Sequence, residues 1–396
     1  MRLTNPLPLF MMMVLFSPLA IDIFLPAVPV MADSFGVPVS WIQQCLPVFM
    51  LAFGAGQLLA GPLADRYGRR PVALVGAVTY VVTSMLAAMA SEFSMLMLAR
   101  LGQGFSACAL SVAAFAGVRD TFGAERSKSM FSYLNGVICI VPAMAPLLGG
   151  WLTEIWGWES NFWFMAGYAA VVGLIMFLML NETRPANTKS DGKLLSMTAY
   201  KSIVGVAEFR FYALLVLLGM AMIIGYVTQA PARLMVELGL NSTQFALWFG
   251  ANAFINIVAA FIAPKVIKQI GQTKGLWIGV LVMAASGVAE LMLQSVMTPL
   301  AFMAPVFTAS VGFCFVIAIC SGSALAPFGD RAGTAAALLG LFQMTGSAIL
   351  VGLLAASGLS AVMQLSVLML LPLVWLVLAK KPESDDTAQE TVTANS

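Results

Sequence analysis

An all-α integral membrane architecture of twelve transmembrane helices in two six-helix bundles is what this sequence predicts, on three observations. The 396 residues are 60% hydrophobic and only 10% charged, whereas soluble domains run about 45–50% apolar and about 25% charged; so few charges cannot cover a water-facing surface of this size. The apolar residues gather in runs near the roughly 20 residues that a helix needs to cross about 30 Å of hydrocarbon. Lysines and arginines fall between those runs and concentrate on one side, as membrane topology requires.

Taken in order, the runs lie at 8–30, 41–62, 71–90, 95–118, 129–152 and 160–181, then at 209–232, 244–264, 275–294, 298–321, 332–356 and 360–379. They are read as helices because open sheet or coil leaves backbone groups unpaired in lipid, and a barrel shows short alternating segments instead. The first run, Pro8 to Val30, follows Arg2 but carries Pro18 and Asp22 within it, so it is read as a span and not as a cleaved leader. With the amino terminus in the cytoplasm, one face collects all but two of the 20 basic residues. The two exceptions are Arg233, in a loop on the other side, and Arg100, inside the fourth run. Both termini are therefore expected to be cytoplasmic.

The chain divides accordingly into an N-terminal bundle over 1–181, a cytoplasmic linker over 182–208 with a short amphipathic helix near Leu194 to Ile203, a C-terminal bundle over 209–380, and a polar, acidic tail over 381–396 expected to be disordered. Six runs on each side of the linker suggest an internal duplication. The loop GPLADRYGRRP from Gly61 has its counterpart in APKVIKQIGQTKG from Ala263, which keeps the basic character and a glycine but has lost the acid.

Composition also excludes classes of function. A net charge of +2 offers no basic excess for nucleic acid. Histidine is absent, which removes the usual zinc sites, histidine-based triads and histidine proton relays. Cys45, Cys108, Cys139, Cys314 and Cys320 all lie in apolar runs with no CxxC pair, as packing residues do. No GxSxG elbow, phosphate-binding loop or metal-ligand cluster is present, so neither an enzyme nor an ATP-driven pump is expected.

Four motifs carry chemistry. In the loop from Gly61, Gly61 and Gly68 permit a tight turn between helices, and Asp65 can cap a helix or pair with Arg66, Arg69 or Arg70. The fourth span carries LMLARLGQG, with Arg100 several residues inside, where a charge is costly and should face a cavity with a partner. The fifth reads VPAMAPLLGGW from Val141, with Pro142 and Pro146 to bend the helix and Gly149 and Gly150 to admit close neighbours. The first reads SPLAIDIFLPAVP from Ser17 and holds Asp22, the one acid deep in a span; Glu290, near the end of the ninth, is the next candidate.

These motifs resemble those of the major facilitator superfamily. The loop from Gly61 is similar to its signature, and ALAPFGDRAGTAAALLG from Ala324 together with the first span is similar to the bicyclomycin and chloramphenicol resistance branch of its drug-proton antiporters. The resemblance implies that Asp65, Arg69, Arg70 and Asp120 form a charge cluster latching the outward-closing state, and that Pro142, Pro146, Gly149 and Gly150 form an antiporter hinge. In place of two glycines of that motif this chain has Val141 and Ala145. It implies too that Asp22 takes part in proton coupling and drug binding, with Arg100 biasing its proton affinity. Burial disfavours a charged carboxyl and a nearby arginine favours it, so such a group can exchange a proton near neutrality. The alternative is a structural acid paired with Arg100 or capping a broken helix near Pro26.

For the substrate pocket, Gln44, Phe49, Phe53, Gln57, Tyr133, Asn135, Tyr226, Gln229, Asn252, Asn256 and Gln343 are the polar or aromatic candidates in otherwise apolar helices; each can equally be glue between helices. The expected function is a secondary exporter in a bacterial inner membrane, a monomer in the lipid bilayer. It would exchange incoming protons for outgoing amphiphilic drugs, neutral or weakly charged and phenicol-like, with no cofactor and the proton gradient as driving force. The competing reading is transport of a natural metabolite, a sugar or an amino acid, coupled to protons or sodium.

Overall fold

A computed structural model describes residues 6–185 and 197–379. Among them are twelve helices long and apolar enough to span a membrane: α1 Leu7–Phe35, α2 Val39–Tyr67, α3 Arg69–Ala88, α4 Phe93–Gly123, α5 Glu125–Trp156, α6 Glu159–Met179, α7 Ala207–Glu237, α8 Ser242–Ile270, α9 Gln272–Met292, α10 Pro299–Gly329, α11 Gly333–Ala355 and α12 Ala361–Leu378. Each expected run falls on one of them. Several are longer than hydropathy suggests, because a helix that leaves the hydrocarbon keeps its own hydrogen bonds through the polar turns beyond it. Thus α4 continues past its apolar stretch through Arg119 and Asp120 to Gly123, whose φ of 73° turns the chain directly into α5.

The face reached by the α2–α3, α4–α5, α8–α9 and α10–α11 turns is the basic face, and the other the opposite face. The duplication survives in backbone geometry better than in sequence. Gly68 between α2 and α3 has φ 106° and ψ 158°, and Gly271 between α8 and α9 has φ 85° and ψ 156°, so both halves turn through the same glycine conformation.

α1 is not a continuous helix. It breaks after Val14 and again after Asp22, where Leu25–Ala27 forms a 3₁₀ turn. The cause is local: Pro18, Pro26 and Pro29 each lack the N–H that would reach back one turn. Neighbouring donors bind the carbonyls of the broken helix. Tyr168 Oη donates to Met12 O at 2.8 Å, Tyr80 Oη to Phe16 O at 3.1 Å and Arg100 to Ala20 O at 2.9 Å, a stripe spaced by one turn along one side of α1.

The bundles meet along two long seams, α2 with α11 and α5 with α8, and again where the end of α7 reaches α1 and α2. At the first, Thr345 Oγ1 donates to Leu51 O at 2.9 Å beside Gly54. At the second, Ala143 backs Gly250, and Gly150 faces Ser242. Gly149 is pressed on the break in α1: a Cβ there would lie 1.6 Å from Ile23 O. A linker helix, Met197–Gly205, precedes α7, and Arg210 Nη1 donates to its last carbonyls, Val204 O and Gly205 O, both at 2.9 Å. It covers the described part of the expected amphipathic helix, whose first part, with Lys189, Lys193 and the 381–396 tail, lies outside the described residues.

Gly149→Ala should therefore lower the thermal unfolding midpoint by several degrees, as overpacking costs about 1–3 kcal/mol. Gly167→Ala, on α6 with nothing within 4 Å of the added methyl, should leave the midpoint unchanged or raise it. Equal midpoints for the two variants in a detergent melt would refute this packing.

Candidate functional site

A cavity of about 1350 Å³ lies between the bundles. Its deep end is lined by Asp22, Tyr226 and Asn252, and it extends to Asp65, Arg69, Arg119 and Arg331 at the basic face. Asp22 reaches it because the break in α1 falls just after that residue; the side chain is buried, with the residue 3% exposed. On the other bundle Tyr226 stacks on Phe249 with ring centroids 5.5 Å apart. Its hydroxyl is buried without a hydrogen-bond partner, and it interacts electrostatically with Asp22. Beside it Ser310 Oγ donates to Asn252 Oδ1 at 2.9 Å, leaving the amide N–H of Asn252 as the group able to donate into the cavity.

Arg100 stands differently from expectation. It is fully buried, does not line this cavity and forms no ion pair with Asp22. Its guanidinium donates to Ala20 O at 2.9 Å, to Cys45 O at 3.3 Å and to Gln103 Oε1 at 2.8 Å, and Gln103 in turn donates to Ser84 Oγ at 2.9 Å. The rings of Phe24 and Phe49 lie 4.7 and 4.8 Å from it. Carbonyls of α1 and α2 stand in place of a counter-ion, so Arg100 ties α4 to α1 and α2, and Gln103 carries the contact on to α3.

The pocket candidates divide. Phe53, Gln57, Tyr226, Asn252 and Asn256 line the cavity. Six do not. Tyr133 and Asn135 are exposed on the outside of α5, whose cavity side is Phe131, Ile138, Cys139 and Pro142. Phe49 is buried under Arg100, Gln343 sits in the π-helical turn Phe342–Gly346, and Gln44 faces Gly352 of α11. Gln229 belongs to the seal above the cavity.

That seal closes the opposite face and leaves no signature in the sequence. Gln43, beside the expected Gln44, donates through Nε2 to Thr228 O at 2.8 Å and lies 3.1 Å from Gln229 Oε1. Gln229 Nε2 donates to Gln364 Oε1 at 2.7 Å, and Gln364 Nε2 to Leu359 O at 2.7 Å. A chain of neutral amides thus runs from α2 through α7 to α12. The α2 helix is interrupted at residues 43 and 44, and that local unwinding aims Gln43 across the seam.

At the basic face, Arg69 Nη1 lies 2.6 Å from Asp65 Oδ1 and Arg69 Nε 2.9 Å from Asp120 Oδ2. Arg70 is not part of that pairing: it donates to Phe177 O at 2.8 Å, with the Phe177 ring 5.9 Å below. Glu182, which sequence reasoning missed, completes the cluster by accepting from the backbone N–H of Arg69 at 2.9 Å and of Arg70 at 3.2 Å, where it caps the start of α3. Partial burial acts to raise its pKa, but the backbone N–H groups of Arg184, Arg69, Arg70 and Thr183 outweigh this and hold the carboxyl below its usual range. All these groups belong to the N-terminal bundle and to the segment after α6.

Two helical bundles around a central cavity, sealed among the described residues by side chains at one face, make up the architecture of an alternating-access membrane transporter. The family model of the Major Facilitator Superfamily matches residues 10–351, and the chain belongs to that superfamily. It is 32% identical over 374 residues to the "Multidrug resistance protein MdtL" of Klebsiella pneumoniae (strain 342), covering 92% of each chain. Among solved structures, the D-xylose-proton symporter superposes with a TM-score of 0.73 at 13% identity over 95% of this chain and 98% of that one. A bacterial homolog of the human lysosomal transporter Spinster, in an inward-facing and occupied conformation, gives 0.71 at 16% identity over 95% and 96%. The membrane is crossed many times, and the family is one of transporters, not of enzymes.

The seal and the cap can each be probed. With exposed Cys139 replaced by serine and Thr228→Cys introduced in the seal, Gln43→Ala should speed alkylation of the new thiol about fivefold or more, each neutral hydrogen bond contributing about 1 kcal/mol. An unchanged rate would remove Gln43 from the seal. Glu182→Gln should lower the unfolding midpoint at pH 7. Because the folded carboxyl titrates below the unfolded one, its contribution is present above the unfolded value and fades as pH falls through the folded one. The gap between wild type and variant should then close in acid, and a gap independent of pH would count against the cap.

Proposed function

We propose that this protein is a proton-coupled exporter of amphiphilic, neutral or weakly charged small molecules in a bacterial inner membrane, with its basic face and both termini in the cytoplasm. The observation that carries this reading is Asp22: a buried carboxyl at the deep end of the cavity between the bundles, with Tyr226 of the other bundle beside it. The concentration of basic residues at one face supports the orientation, and the multidrug resistance name of the Klebsiella relative supports drugs as substrates.

In this reading the cavity takes a drug from the cytoplasm or inner leaflet against the Tyr226–Phe249 stack, with Asn252 as a donor. A protonated Asp22 is neutral and leaves Tyr226 free; a deprotonated one accepts the Tyr226 hydroxyl, joining the bundles near the centre of the membrane. Alternation then exposes Asp22 to the outside, where it takes a proton as the drug leaves. Arg100 is assigned to holding the α1 break that presents Asp22, a positioning role. The Asp65–Arg69–Asp120 cluster with Glu182 is the latch, and Pro142, Pro146, Gly149 and Gly150 are the hinge, as the resemblance implies. One deep acid and a mostly apolar lining favour phenicol-like compounds over dications. The bundles are taken as 1–181 and 209–380.

Reconstituted in liposomes, the wild type should move protons on addition of chloramphenicol or similar neutral amphiphiles and little on addition of dications, and Asp22→Asn should abolish the flux. Flux that persists in Asp22→Asn would place coupling elsewhere. Absence of flux with any drug would favour a natural metabolite or sodium.

A further inference from the structure

One pair of buried charges in the C-terminal bundle has no part in the cavity. Glu290, on α9, is 2% exposed, and its Oε2 has no hydrogen-bond partner. Arg233 is 6% exposed, and its Nε has none either. The two interact electrostatically but form no ion pair. Instead Arg233 Nη1 holds Glu237, four residues on in the same helix, and Nη2 donates to Gln294 O at 3.2 Å. α10 and α12, which pack on α9, contribute no charged side chain, and the lysines of α8 lie at its basic-face end. Arg233 is thus the charged group facing Glu290, and it holds Glu237 on its other side.

A buried carboxylate with an unpartnered oxygen is strongly unfavourable in an apolar bundle unless it holds a proton or a cation reaches it. A guanidinium with a spare N–H is close by, already engaged with a more exposed acid. Arg233 sits on Pro231–Glu237, a π-helical turn that ends α7 and packs on the 3₁₀ turn and last helical segment of α1 in the other bundle. The same end of α7 carries Thr228 and Gln229 of the seal. A π turn holds one residue more than an α turn, so tightening it rotates the residues beyond it by about 100° without breaking the helix. That is a motion able to carry an arginine from one acid to another.

We infer that Glu290 is a second proton-binding site, separate from the cavity, that locks the seal of the opposite face. With a proton on Glu290, Arg233 stays with Glu237 and the seal holds; when the proton leaves, Arg233 crosses to Glu290 and the end of α7 draws away from α1. In the orientation proposed above this face meets the outside, so external acid closes it. The proton on Glu290 is not passed to the cytoplasm, because the closed seal separates it from the cavity. The inference rests on the alternating-access reading but not on Asp22 as the coupling acid.

Spin labels on Ser40→Cys at the start of α2 and Thr243→Cys at the start of α8, both exposed positions on the opposite face, would report the seal in a Cys139→Ser background. Distances would be followed in lipid nanodiscs from about pH 5 to about pH 9, a range that brackets buried carboxyls. The wild type should show a several-fold growth of the longer distance with rising pH. Glu290→Gln should hold the short distance throughout, Arg233→Gln should lose the response, and Glu290→Asp should keep it with a displaced midpoint, which a merely structural role would not produce. Asp22→Asn should still lengthen the distance as pH rises, because Glu290 is intact. A pH response retained in Glu290→Gln, or none in the wild type, overturns the inference. Loss in Asp22→Asn with retention in Glu290→Gln also overturns it, while leaving Asp22 as the coupling acid; absent drug-evoked flux with the distance response intact defeats the coupling proposal and not this one.

Discussion

Arg100 is the residue on which the N-terminal bundle depends. A guanidinium with no exposure needs acceptors for its N–H groups, and carbonyls of α1 and α2 are among them. The dependence runs both ways, because broken helices need donors from outside themselves. Arg100, Tyr80 and Tyr168 supply them along one side of α1. The break therefore has a fixed shape, and Asp22, at its edge, is presented to the cavity by a scaffold instead of a mobile loop.

The two faces are held by different forces. The opposite face is joined by neutral amides from Gln43 to Gln364 and by the close approach of Gly150 to Ser242. At the basic face the ionic groups Asp65, Arg69 and Asp120 are satisfied inside one bundle, and Arg331 donates to Ser202 Oγ of the linker helix at 3.1 Å. Neutral hydrogen bonds contribute about 0.5–1.5 kcal/mol each. A seal made from a few of them can be exchanged for another within thermal reach, which a seal of buried ion pairs could not.

The fold was legible because the bilayer forces every backbone group to pair within its own helix, and long apolar runs leave no other solution. Position along each helix was legible as well; direction around it was not. Tyr133 and Asn135 have the chemistry of pocket residues, yet α5 turns Phe131, Ile138 and Pro142 to the cavity, and no short stretch of a uniformly apolar helix reveals that phase. Gln43 and Glu182 escape sequence reasoning for another reason. Their partners lie 186 and 113 residues away, and their placement depends on an interrupted helix and on the capping of a helix in a different part of the chain. Arg100 is recognisable as needing a partner, but a backbone carbonyl freed by an irregular helix leaves no mark in the sequence beyond the prolines near it.

The neutral surroundings of Arg100 have an electrical consequence. Were Arg100 paired with Asp22, a proton arriving at the carboxyl would break an ion pair; here no ion pair joins the two groups. The core of the N-terminal bundle then carries no net charge when Asp22 is ionised and one positive charge when it is protonated. A membrane potential acts on such a charge with about 2.3 kcal/mol per 100 mV if it crosses the whole field. If Asp22 takes up a proton as proposed, the bundle is pulled toward the negative side of the membrane only in that state, so the voltage across the bilayer would bias its motion.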